Sequence, residues 1–128
     1  MRYLFAIIIL FLSSAPGFGQ EAEFSIDKSV HKFPKVDEGA ILEHFFTITN
    51  TGTSPLIISE YKVSCSCTKA YLPKDPILPK ASYKLKVTFD TNGKYYLQDR
   101  TIYLKTNTKK ETHRLRFKVK VIPKPISG

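Results

Sequence analysis

Arg114-Leu115-Arg116-Phe117-Lys118-Val119-Lys120-Val121 alternates cationic and apolar side chains without a break. On an extended chain successive side chains point to opposite faces, so this stretch has one hydrocarbon face and one basic face. It predicts a half-buried strand, from about Thr112 to Ile122, lying against a core. The same period of two returns upstream, where Tyr83, Leu85, Val87 and Phe89 face one way and Ser82, Lys84, Lys86 and Thr88 the other. Two such ribbons, each with a single greasy side, require a layered all-β arrangement to bury both.

Working outward, a first strand is expected across Phe24–Phe33, ended by Pro34, and a second across Ala40–Asn50, with Phe46 and Ile48 opposite Phe45, Thr47 and Thr49. Asn50-Thr51-Gly52 reads as a turn, because Asn and Gly tolerate positive φ, and Pro55 opens a third strand through Val63. Pro73, Pro76 and Pro79 exclude a regular central strand from Leu72 to Lys80, so that segment is expected to cross between sheets. Asp90-Thr91-Asn92-Gly93 turns the chain again, and a strand near Arg100–Thr106 sets Ile102 and Leu104 inward. No segment carries a convincing amphipathic helical pattern. Short strands punctuated about every ten residues predict an all-β, immunoglobulin-like β-sandwich of about seven strands.

The N-terminus reads differently. Tyr3–Leu12 is an unbroken apolar run behind Arg2, too short to span a bilayer as a helix, and it is followed by Pro16, Gly17 and Gly19. This is the pattern of a cleavable signal peptide over residues 1–19, with residues 20–128 forming one sandwich domain and a short tail. No cysteine follows the apolar run to take a lipid anchor, and no later stretch is apolar enough to span a membrane. The expected location is periplasmic or secreted. The formal net charge of +9 favours anionic partners and also keeps a small exported protein soluble.

Phe46-Thr47-Ile48-Thr49-Asn50-Thr51-Gly52, Pro55-Leu56-Ile57-Ile58, Cys65-Ser66-Cys67-Thr68, Pro76-Ile77-Leu78-Pro79, Val87 through Lys94, and Thr106-Asn107 follow one another in a recognisable order. Through them the sequence resembles the bacterial domain-of-unknown-function family fifteen seventy-three, itself similar to the immunoglobulin-like domains of the abnormal-spindle and hydin group. The resemblance implies the fold, export and association with envelope proteins; it implies no established activity. Three departures stand out: Ser66 where the family often has Gly, Lys80 where Gly often follows the Pro, and Tyr96 near another common Gly.

Cys65-Ser66-Cys67 is the one chemically distinctive motif. Read on an extended strand, the two sulfurs share the face of Val63, and three states are open: buried thiols, a labile disulfide, or a thiolate pair for redox or soft-metal chemistry such as Cu(I) binding. His31, His44 and His113 lie at no metal-ligand spacing from the pair, so no cofactor is expected. No G-x-S-x-G signature is present, and Asp37, Glu38 and Glu43 read as a solvated turn and strand edge. The basic residues Lys84, Lys86, Arg114, Arg116, Lys118 and Lys120 are expected to form one positive sheet face that could meet an anionic polymer, surface or acidic protein. Nucleic acid is a poor fit for an exported chain whose basic row lacks exposed aromatics. Tyr95, Tyr96 and Tyr103 are read as core and sheet packing rather than a carbohydrate platform, although their amphipathic rings also suit an interface. The expectation is a non-enzymatic binding or assembly module with an envelope protein partner, engaged through loops or an edge strand. The alternative is a small periplasmic redox or Cu(I)-handling protein using Cys65 and Cys67.

Overall fold

The computed structural model describes residues 20–125; residues 1–19, expected from sequence to be a signal peptide, lie outside them. Nine strands build the fold: β1 (Phe24–Ile26), β2 (Val30–Lys32), β3 (Val36–Asp37), β4 (Ile41–Asn50), β5 (Ile58–Lys62), β6 (Thr68–Tyr71), β7 (Ser82–Asp90), β8 (Tyr96–Thr106) and β9 (Thr112–Ile122). One sheet runs β1-β4-β7-β6 and the other β2-β9-β8-β5, with β3 also paired to β9. The alternating strands meet face to face as the sequence requires. Phe46, Ile48, Leu85, Val87 and Phe89 from the first sheet pack against Ile102, Leu104, Leu115, Phe117, Val119 and Val121 from the second, all buried. Burying each large apolar side chain contributes roughly 1.5–3 kcal/mol, so this interlayer core is the main force holding the sheets together.

The expected first strand is broken in two. Phe24–Ile26 pairs antiparallel with β4, whereas Val30–Lys32 pairs parallel with β9 in the other sheet. The segment therefore stitches both layers along one side, and His31, Phe33 and His44 fill the gap there: His31 stacks on His44 at 3.6 Å, and Phe33 meets Phe117 edge-on at 5.7 Å. Periodicity could not show this, because a strand that changes sheets keeps its alternation.

The proline-rich stretch is a second correction. It joins β6 to β7, neighbours in one sheet, and crosses nothing. The crossing between sheets falls earlier, at residues 63–67, and β6 itself went unforeseen because its four residues are too few to display a period. Within the proline stretch Ile77 reaches Leu56, and each main-chain N–H donates to the other's carbonyl at 2.8 Å.

The Asn50-Thr51-Gly52 turn is the polar hub of this end of the sandwich. Asn50 is fully buried; its Oδ1 accepts from Glu23 N at 3.2 Å and Gly52 N at 2.9 Å, and its Nδ2 donates to the carbonyls of Ser54 at 2.8 Å and Ile77 at 2.9 Å. Gly52 lies so close to the N-terminal segment that a Cβ there would sit 2.1 Å from the Glu21 carbonyl oxygen. Two of the departures noted above also acquire a meaning: Lys80 and Tyr96 are the two non-glycine residues among those described with positive φ, at 69° and 64°. Glycine is favoured at such positions because a Cβ there crowds the backbone.

Candidate functional site

β9 sets Arg114, Arg116, Lys118 and Lys120 outward, as its alternation dictates. Lys84 and Lys86 do not join them. They belong to β7 in the other sheet, so the two groups occupy opposite outer faces of the sandwich, and the single positive face expected from sequence is not formed. On the β7 side Lys86 pairs with Glu43 at 3.4 Å and lies over the Tyr71 ring at 5.2 Å.

The β9 face draws cations from other strands instead. Lys32 of β2 sits directly beside Lys118, and Lys62 of β5 is one strand away from Arg114, across Tyr103. Two carboxylates partly offset this charge. Arg116 binds Asp99 with both Nε and Nη2, and Lys105 approaches Glu60 at 3.8 Å. The hydrogen bond from Arg116 holds the Asp99 carboxyl below its usual range, with the charges of Arg116 and Lys118 acting the same way. Lys32, Lys62, Arg114, Lys118 and Lys120 have no ion pair among the described residues. A groove of about 910 Å³ runs from β1, at Phe24 and Ile26, past Ser29 to Asp99, Arg114 and Arg116 on this face.

β8 and β5 differ greatly in length, and that difference creates an open edge. β8 pairs with β9 from Tyr96 to Lys105, but β5 covers it only from Tyr103 to Thr106. Thr106 N donates to Glu111 on the β9 side. Since main-chain groups alternate in direction along a strand, Leu97, Asp99 and Thr101 present their N–H and C=O groups to the open side, where no strand of the described residues pairs with them. Tyr96 and Leu97 at its start are 67% and 68% exposed. Tyr95 and Tyr103 are exposed too, so the packing role expected for these tyrosines is not what the structure shows.

The inner side of this edge carries Arg100. It stands opposite Phe117 in the ladder and so points between the sheets, with its guanidinium over the Phe89 ring at 5.7 Å. One Nη2 donates to Gln98 Oε1 at 2.7 Å, while Gln98 Nε2 donates to the Tyr95 carbonyl at 2.8 Å. The Arg100 Nε is buried and has no hydrogen-bond partner among the described residues. Sequence reasoning missed this residue because the strand was started at Arg100. Extending the inward set Ile102, Leu104 back by two and four would have placed Arg100 and Gln98 on the core side.

Cys65 and Cys67 are joined by a disulfide, with Cα atoms 5.2 Å apart. The pair sits in a turn rather than on the extended strand expected, and Cys67 packs against the core. Its sulfurs are bonded to each other and so are not thiolates open to a metal. Among the described residues no group of three or more His, Cys, Asp or Glu could hold a metal ion. The histidines are engaged elsewhere: His31 with His44, and His113 stacked on Phe24 at 4.1 Å. Burial first, and nearby charge second, holds all three below the ordinary histidine value. Of the three acidic residues, Glu43 pairs with Lys86, while Glu38 accepts from Gly93 N at 2.9 Å and Lys124 N at 3.2 Å, ordering loops. No helix among the described residues is long and apolar enough to cross a membrane.

The sandwich is similar to several solved structures. A protein of unknown function from Porphyromonas gingivalis W83 superimposes with a TM-score of 0.69 at 16% identity; the alignment covers 79% of this chain and 47% of that one, so this chain spans about half its length. The ASH/PapD-like domain of human CEP192 gives a TM-score of 0.61 at 14% identity, covering 82% of this chain and 89% of that one. The YadV chaperone gives 0.51 at 15% identity, covering 82% and 54% respectively. These likenesses establish the immunoglobulin-like, PapD-like fold. No curated protein matches the chain. The family described as "Protein of unknown function (DUF1573)" matches residues 24–121.

Proposed function

Because the chain belongs to the DUF1573 family over almost the whole sandwich, we propose that it is a non-enzymatic protein-binding module of the bacterial cell envelope, exported behind residues 1–19, which takes up a segment of its partner as an added strand. The observation that carries this reading is the edge of β8, where Leu97, Asp99 and Thr101 offer main-chain donors and acceptors to no strand among the described residues. Such an edge gives affinity through main-chain hydrogen bonds and specificity through the side chains that alternate along it. Proteins normally cover or blunt a free edge, since it invites pairing with other chains. One of the similar structures is a chaperone, which accords with a binding role for the fold. Export rests on the apolar run Tyr3–Leu12 and the small residues after it.

A proline at Thr101 removes one outward donor and obstructs pairing at the open side only. The tests are fractionation of the full chain and partner capture by the wild-type and Thr101→Pro proteins, with melting curves to verify folding. Recovery in the envelope fraction, with a partner held by the wild type and lost from the folded variant, is the expected result. Equal capture by both proteins overturns strand addition, and retention in the cytoplasm overturns the envelope assignment.

A further inference from the structure

We propose that the strand taken up at the β8 edge is an acidic segment that places an Asp or Glu carboxylate against Arg100 on the inner side of the sandwich; this rests on the strand-addition reading above. A strand laid beside Leu97–Thr101 points alternate side chains inward, next to Gln98, Arg100 and Ile102, and the others outward, next to Leu97, Asp99 and Thr101. Inward it meets a guanidinium whose Nε is buried without a partner and whose Nη2 has the neutral Gln98 as acceptor. No carboxylate of the described residues pairs with Arg100. A guanidinium's planar fork of donors matches a carboxylate better than any other side chain, and a buried donor left unmade is costly. The site is thus complete as a fold and incomplete as a hydrogen-bond network.

Outward the charge points the same way. Asp99 is already neutralised by Arg116, and behind the edge stand Lys118 and Lys120 on β9, with Lys62 at the end of β5, none of them ion-paired among the described residues. Tyr96, held at a φ of 64° and 67% exposed, begins the edge. A Cβ at such a backbone position costs local stability, and here it sets an exposed aromatic ring at the mouth of the edge. A second copy of this chain is a poorer occupant, because its own β8 would bring another Arg100 and another basic face to the same edge.

The probes are synthetic peptides of about nine residues, within the usual range of strand lengths, alternating Val and Thr around a central Glu, Gln or Lys. Binding to the signal-free protein is followed by fluorescence anisotropy, alongside sedimentation of the protein alone. The Glu peptide should bind at least about tenfold more tightly than the Gln peptide, a difference within reach of one charge-assisted bond. Arg100→Met should abolish that preference with its melting temperature retained, and Thr101→Pro should weaken all the peptides. Equal binding of Glu and Gln peptides to the wild type, with Thr101→Pro still weakening both, overturns the Arg100 assignment and leaves strand addition standing. Glu-peptide binding untouched by Thr101→Pro overturns both readings. Absence of binding by every peptide, or a wild-type dimer dissolved by Thr101→Pro, overturns the acidic segment as the occupant.

Discussion

The turn around Asn50 and the edge around Arg100 are opposites in the same sandwich. At the turn a fully buried side chain has each amide atom engaged twice, and the neighbouring glycine leaves no room for a Cβ. At the edge a long strand is only partly covered, a guanidinium nitrogen is buried without a partner, and an aromatic residue occupies a left-handed position. One region is finished by the chain itself; the other is finished only by something added. Polar groups that the fold satisfies internally make structure, and those it leaves open are where a partner can contribute.

The largest effect of a substitution is expected at the turn. Asn50→Ala should lower stability by about 3 kcal/mol in urea denaturation, because several buried main-chain groups lose their partners at once. Gly52→Ala should cost as much or more, since the new Cβ meets main-chain atoms that cannot swing aside. A loss below about 1 kcal/mol in either variant would show that the hub is not structural in the sense argued.

Acid should act less strongly, through the aromatic fill on the stitched side. Folding lowers the affinity of His31, His44 and His113 for protons, so the unfolded chain binds more protons than the folded one once the pH drops below the ordinary histidine value of 6.5. Stability should therefore be full above that pH and decline below it, and His44→Phe should flatten the decline. Urea midpoints at neutral pH and at about pH 5 decide this; a midpoint that does not fall removes the histidines from the account.

The edge should respond in the contrary sense. Tyr96→Gly relieves the left-handed backbone at some entropic cost and should raise stability by about 0.5 kcal/mol while weakening the acidic peptide. A stability gain with unchanged peptide binding would detach Tyr96 from the site. Arg100→Met should leave thermal stability within about 0.5 kcal/mol of wild type, because the lost contact over Phe89 is offset by removal of an unsatisfied donor. A large loss would make Arg100 a structural residue.

The fold was legible because burial leaves a period: β4, β7 and β9 begin and end within a residue or so of where alternation places them. Short elements were not legible. β1, β2, β3 and β6 hold four residues or fewer, and the change of sheet between Ile26 and Val30 depends on contacts with β4 and β9 that no local pattern records. The basic row of β9 was readable, but its separation from Lys84 and Lys86 follows from strand order, which periodicity does not contain. The open edge was the least visible, because it arises from a difference in length between β5 and β8. Tyr96, near a position where the family often has Gly, was the local clue at this edge, and its cost appears only once the backbone is seen.

β9 has one further consequence, for the order of events as the chain folds. It is the parallel partner of β2 and β3, which come from the other end of the described sequence, and the antiparallel partner of β8. The pairings of β2 and β3 and the β8–β9 hairpin all wait for Thr112–Ile122; the hairpin then closes locally across residues 107–111, whereas β2 and β3 must be met from far along the chain, a long-range step that slows folding. Until β9 is in place nothing links β2 to β8 in the second sheet, so its arrival is the step that closes the sandwich.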